Sequence, residues 1–296
     1  MLTEHYDVKT ASGRTVGVWR SYDESTRGSG RVVVMAPGFG QRMRSGGALA
    51  LMMVRNGATV YRFDSLDHVG VSEGEIANFC LTSLNESLSA AVDSACRTEG
   101  ADSVTVVATS LAALAALHHA VDEQRTSGIV LMLGVVDGRN TLLNVIGDDY
   151  LDVPVDTLPP TVMIDKYEVD PRAIHREHPV VDWWDAHSTV TALAALDIPV
   201  WNFAAIDDDW VQISDVHKVF AEAGRDPAEH VVEVEFSGHA LLRNPVALKS
   251  LMTEVTRRVI GAGPEAEPEI PSFEEMVALR GTERDLERQH LSQRDR

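Results

Sequence analysis

Residues 104–113 read Val104-Thr-Val-Val-Ala-Thr-Ser110-Leu-Ala-Ala113, and this stretch constrains the fold more than any other. Its first half is apolar and β-branched, the pattern of a strand covered on both faces. A helical pattern then runs from Leu111 to Asp122 with almost no connecting residues. Ser110 therefore stands in a sharp strand–turn–helix corner. Such a corner lifts the hydroxyl above the sheet and aims the following helix N-terminus at it. Strand and helix crowd together there, so the residues two away on each side must be small; they are Ala108 and Ala112. These are not the glycines of G-x-S-x-G, and by itself the motif also fits an N-cap serine.

Outward from this corner, short apolar runs alternate with helical patterns. Strands are predicted at 31–36, 59–63, 128–136, 199–206 and 231–236. A helix is predicted at 46–55, stopped by Asn56-Gly57, and another after the capping box Ser83-x-x-Glu86. This rhythm predicts an α/β protein with a mainly parallel sheet flanked by helices. The segment 137–197, with Pro159-Pro160 and Trp183-Trp184, shows no clear strand and is too long for an ordinary loop. It is read as a cap over the carboxyl edge of the sheet, inserted in a domain spanning 1–263. The proline- and glutamate-rich residues after 263 lead into a charged segment, predicting a tail at 264–296 with a solvated helix.

The 296 residues carry 26 Lys plus Arg against 45 Asp plus Glu, a net charge of −19. That field repels nucleic acids and anionic membranes. A chain of this length buries about three quarters of its unfolded surface and needs no disulfide or metal to fold. No apolar stretch reaches the roughly 18 residues of a membrane span, and the N-terminus lacks a signal-peptide pattern. Cys80 and Cys96 are read as buried, reduced thiols in a helical stretch. The expected location is the cytoplasm.

A serine hydroxyl becomes a nucleophile when a histidine takes its proton and a carboxylate orients that histidine. After the strand ending at Ile206 come Asp207-Asp208-Asp209-Trp-Val211, and after the last strand come Ser237-Gly-His239. The order Ser, Asp, His, each just beyond a strand, is the arrangement of the α/β-hydrolase fold. Asp208 is chosen among the three aspartates because Asp-x-x-Val places it at the strand end with Val211 beneath. The expected oxyanion donors are the backbone N–H groups of Leu111 and of Phe39, the latter in Pro37-Gly-Phe-Gly40. Gly38-x-Gly40 is no dinucleotide fingerprint, since Met43 stands where its third glycine would be. His68, Trp183 and Trp184 are candidate pocket residues. The pairs His118/His119 and His175/His178 are read as surface residues, and no metal site is expected.

These residues resemble a family. The segments APGFGQRM, FDSLDHVGVSEGEI, ATSLAA, LGVVDGRNTL, DYLDVPVDTLP, DWWDAHSTV, DDDWV and SGHALLRNP, with the tail PEIPSFEEMVALRGTERDLER, are similar to the acyl transferases of bacterial bioluminescence operons. Those are α/β hydrolases acting as myristoyl-carrier-protein thioesterases. The resemblance implies Ser110 as nucleophile, Asp208 as acid and His239 as base. Pro37 and Ala112 depart from the small polar residue and the serine common in that family. The Ala- and Arg-rich composition resembles that of high-GC actinobacteria, which points to another acyl pathway, such as natural-product biosynthesis.

The expectation is thus an acyltransferase or thioesterase working without a cofactor. It would take an acyl group from acyl-CoA or an acyl-carrier protein, through acyl-Ser110, to water or a small-molecule acceptor hydroxyl. Arg42 and Arg44 are the expected basic patch for an acidic carrier. The alternatives are a general serine esterase and a non-catalytic hydrolase-like binding protein. The charged tail leaves room for packing across a second subunit.

Overall fold

The computed structural model describes residues 1–26, 31–235, 238–239, 244–261 and 267–294. In chain order the strands are β1 Leu2–Lys9, β2 Thr15–Tyr22, β3 Val32–Ala36, β4 Thr59–Phe63, β5 Val104–Thr109, β6 Thr126–Met132, β7 Val162–Ile164, β8 Tyr167–Val169, β9 Val200–Ala205 and β10 Val231–Val234. The helices are α1 Gly47–Arg55, α2 Leu81–Glu99, α3 Ala112–Asp122, α4 Gly138–Ile146, α5 Pro171–Glu177, α6 Ala186–Ala195, α7 Ile213–Glu222, α8 Pro227–His230, α9 Pro245–Ile260 and α10 Phe273–Arg294.

Among the described residues, eight strands form one sheet in the order β1-β2-β4-β3-β5-β6-β9-β10. From β4 to β10 every pairing is parallel, whereas β1–β2 and β2–β4 are antiparallel. Along β3 the side chains alternate between two cores. Val32, Val34 and Ala36 pack with α2 and α3 residues, and Val33 and Met35 pack with α1 and α9 residues. Strands buried on both faces explain the unbroken apolar runs of the sequence.

Several local expectations are corrected. The antiparallel β1–β2 hairpin was not foreseen, because TEHYDVK carries its polar residues on an edge strand and lacks an apolar run. The strand expected at 128–136 ends at Met132, where Leu133 adopts φ 51°. The expected 137–197 cap contains the short β7–β8 hairpin, and its last helix, α6, packs against α3 and α7 of the body. The final expected strand ends at Val234; Phe236 and Ser237 lie outside the described residues.

Ser83 and Glu86 do not form a capping box. Helix α2 begins at Leu81, with Cys80 as N-cap, and the Glu177 carboxylate accepts the N–H groups of Leu81 and Thr82, both at 2.9 Å. Ser83 Oγ instead donates to Asp67 at 2.5 Å. The tail helix α10 is not fully solvated either. Glu283, Glu287 and His290 are buried against the body, where they meet Arg62, the Arg42/Arg44 pair and Asp7. Alternating salt-bridging residues read as a solvated face in sequence, but here one side of the helix is an ionic seam.

Candidate active site

Strands β3 and β5 are parallel neighbours, with Ala36 opposite Ala108, so the loops leaving both reach the same edge of the sheet. Ser110 follows β5 directly and takes φ 54°, a left-handed conformation that bulkier side chains strain to adopt. The surrounding chain holds it there. Its N–H donates to Met132 O at 3.0 Å, and its carbonyl accepts from Ala113 N at 3.0 Å and Val135 N at 3.2 Å. The 132–135 turn is itself clamped by buried Asn202. That side chain exchanges two 3.1 Å hydrogen bonds with the backbone N–H and carbonyl of Gly134. Ser110 is 6% exposed.

Asp208 lies three residues past β9. One of its oxygens accepts the N–H groups of Trp210 at 2.8 Å and Val211 at 3.1 Å. The other oxygen is 2.8 Å from His239 Nδ1. Asp207 and Asp209 are exposed. Because a carboxylate only accepts, Nδ1 donates, and Nε2 is left as an acceptor. Ser110 Oγ donates to that Nε2 at 2.9 Å. The structure thus joins Ser110, His239 and Asp208 in one hydrogen-bonded chain, drawn from three separate strand ends. Trp210 stacks on the His239 ring, 4.4 Å between centroids and 15° between planes. Sequence reasoning missed this role, although Trp210 is part of the DDDWV segment.

Phe39 and Leu111 flank this chain. A Cβ on Gly38 would lie 3.1 Å from Thr109 O and 3.2 Å from Ser110 Cβ, so glycine allows the β3 loop to press on the serine corner. Among the described residues, neither the Phe39 nor the Leu111 N–H is taken by a turn hydrogen bond. The Phe39 ring makes edge contacts with His68, Phe79 and Tyr167 at centroid distances of 5.7, 5.0 and 6.1 Å. His68 is buried, and its Nε2 accepts the Gly40 N–H at 2.8 Å. Burial pushes its pKa down to about 4.

The two tryptophans separate. Trp184 is fully buried and donates to Glu177 at 2.7 Å, which makes it a prop beneath the α5–α6 segment. Trp183 is half-buried and stacks on His118, 5.0 Å between centroids. His118 and His119 are not free surface residues: burial lowers the pKa of both, that of His118 to about 4. Arg42 and Arg44 are partly exposed and share one carboxylate, each lying 3.0 Å from Glu287. Among the described residues, no group of three His, Cys, Asp or Glu is placed to hold a metal ion, and no helix is long and apolar enough to cross a membrane.

The parallel sheet with a serine corner, a carboxylate and a histidine at its carboxyl edge defines an α/β hydrolase. Solved esterases share the fold. Est1E from Butyrivibrio proteoclasticus, with ferulic acid bound, matches with a TM-score of 0.70 at 12% identity, covering 86% of this chain and 99% of that one. The Pyrococcus furiosus esterase Pf2001 gives 0.61 at 15% identity over 87% of this chain and 90% of its own. The acyl transferase family model matches residues 3–289, so the chain belongs to that family. Acyl transferases from Photobacterium phosphoreum and Photorhabdus luminescens are 29% and 32% identical, over 94% and 83% of this chain and 92% and 80% of their own lengths.

Proposed function

We propose that this protein moves acyl groups from thioesters through an acyl-Ser110 intermediate. The observation that carries the proposal is the continuous Ser110–His239–Asp208 hydrogen-bond chain. Ser110 Oγ attacks the acyl carbonyl as its proton passes to His239 Nε2. The developing oxyanion is met by the Phe39 and Leu111 N–H groups, each such donor contributing about 3–4 kcal/mol in the transition state. Collapse breaks the C–S bond, and His239 returns the proton to the departing thiolate. Water or an acceptor hydroxyl then gives its proton to His239 and attacks the acyl-Ser110 carbonyl, releasing Ser110 with its proton restored.

Asp208 holds the imidazole in the required tautomer, and Trp210 shields one face of the ring. The segment 137–197 would cover the acyl chain. Its links to the site are Tyr167 Oη to Gly40 O and Asn144 to Trp210 O. Each methylene enclosed there is worth about 0.8 kcal/mol, so pocket depth would set chain-length preference.

The experiment is intact mass spectrometry after brief exposure to a series of acyl-CoAs and acyl-carrier thioesters. An increase of one acyl group, lost in Ser110→Ala, is expected; full turnover by Ser110→Ala would overturn the proposal. One observation favours a second reading, hydrolysis of oxygen esters. With Arg42 and Arg44 both engaged by Glu287 on a chain of net charge −19, the attraction for an acidic carrier at that loop is reduced. Matched thioester and oxygen-ester panels separate the two.

A further inference from the structure

The loop after β3 is anchored by groups that the acyl-transfer reading leaves unused. The Gly40 N–H donates to His68 Nε2 at 2.8 Å, and the Gly40 carbonyl accepts from Tyr167 Oη at 3.3 Å. Both backbone groups of Gly40 are therefore held, and holding its N–H orients the Phe39–Gly40 peptide plane. Gly40 has φ +71°, and a Cβ there would fall 2.6 Å from the Tyr167 ring, so the loop and ring are fitted closely. The Phe39 side chain is enclosed by His68, Phe79 and Tyr167, which fixes the residue from its other side.

His68 is firmly placed in turn. Phe79 lies 5.6 Å from its ring. The preceding residue, Asp67, has φ 50° and is tied down by Arg14 at 2.8 and 2.6 Å and by Ser83 at 2.5 Å. A ring nitrogen that accepts a hydrogen bond carries no proton, so Nδ1 bears the hydrogen and the imidazole is uncharged.

We propose that His68 is a positioning residue for the reaction: its Nε2 accepts the Gly40 N–H and thereby fixes the loop that presents the Phe39 N–H to the substrate oxyanion. The inference rests on the reading of Phe39 as an oxyanion donor. A donor displaced from its place forfeits much of its effect on the transition state while leaving ground-state binding nearly intact. His68 acts through the backbone, never on the substrate.

The test compares His68→Leu with His68→Gln in the full chain, whose amide oxygen reaches the position of Nε2. Turnover of a p-nitrophenyl acyl ester, thermal unfolding and hydrogen exchange of the Gly40 amide are measured together. For His68→Leu, kcat should fall on the order of 10²-fold with KM within about twofold. His68→Gln should stay within about threefold of the parent protein. The Gly40 amide should exchange faster in the leucine variant alone. Undiminished kcat in folded His68→Leu, or equal losses in both variants, would overturn the proposal. Retained turnover in Ser110→Ala would instead defeat the acyl-Ser110 reading. The exchange result stands apart from that reading: a Gly40 amide still protected in His68→Leu overturns the role given to His68.

Discussion

Glu283→Leu tests whether the C-terminal helix is bound to the body by a buried charge pair. Arg62 Nη1 lies 2.7 Å from Glu283 Oε1, and the two side chains are 1% and 2% exposed. Arg62 also donates to Met43 O at 3.3 Å and Ser21 Oγ at 3.0 Å, so it stays in place when its carboxylate partner is removed. Burial pushes the Glu283 carboxyl upward and Arg62 opposes it, the balance expected where water is excluded from a pair.

Removing one member of such a pair leaves a buried charge without compensation and costs about 3–5 kcal/mol. The α10 helix is also attached through Glu275, which pairs with Arg55, through Glu287 and His290, and through Leu286 packed near Trp19, Met43 and Val71. The loss should therefore register first as release of that helix, and hydrogen exchange over 273–294 should accelerate well before the sheet opens. Replacing both partners, Arg62→Met with Glu283→Leu, exchanges the pair for apolar volume. The double variant should be at least about 2 kcal/mol more stable than Glu283→Leu alone. Urea unfolding followed by circular dichroism measures both quantities. A single variant within about 0.5 kcal/mol of the parent, or a double variant no better than the single, would refute the reasoning.

Two further outcomes follow from the geometry. Glu177→Ala removes the carboxylate that accepts from Leu81 N, Thr82 N and Trp184 Nε1. Leaving these buried donors unpaired should cost about 2–4 kcal/mol in chemical unfolding and increase proteolysis of the 137–197 segment. His68 provides a pH dependence: its pKa falls from 6.5 to about 4 on folding, so the unfolded chain binds the proton more tightly. The associated stability is present above pH 6.5 and is lost as pH falls toward 4, about 3 kcal/mol in all. Asp64, raised to about 6 by burial, opposes this over part of the range. Unfolding free energies of the parent and His68→Gln, differenced at each pH between 7.5 and 4, isolate the histidine. A flat difference would refute its assignment.

The residues of the hydrogen-bonded chain could be read from the sequence because each occupies a position that local pattern marks. Ser110 interrupts the passage from β5 into α3, Asp208 follows β9, and His239 lies beyond the last strand. The small residues Ala108 and Ala112 and the glycines at 38 and 40 were equally visible, since close approach demands them regardless of what lies opposite. Asp208 could be separated from Asp207 and Asp209 through the spacing to Val211, whose N–H it accepts.

The supporting contacts were not legible in this way. Glu177 caps a helix that begins 96 residues earlier, so the nearby Ser83–Glu86 pattern pointed to the wrong cap. Asn202 clamps Gly134 across 68 residues, and Arg42 meets Glu287 across 245.

Sequence alone determined the alternating strand and helix pattern, the sharp corner at Ser110 and the order of the three polar residues. Those features depend on the period of burial and on backbone conformation, which neighbouring residues dictate. Tertiary structure decided which carboxylate met which cation, that His68 holds Gly40, and that a strongly charged tail buries one face. An ion pair or a buried hydrogen bond depends on position in space, and its partners leave no periodic trace along the chain.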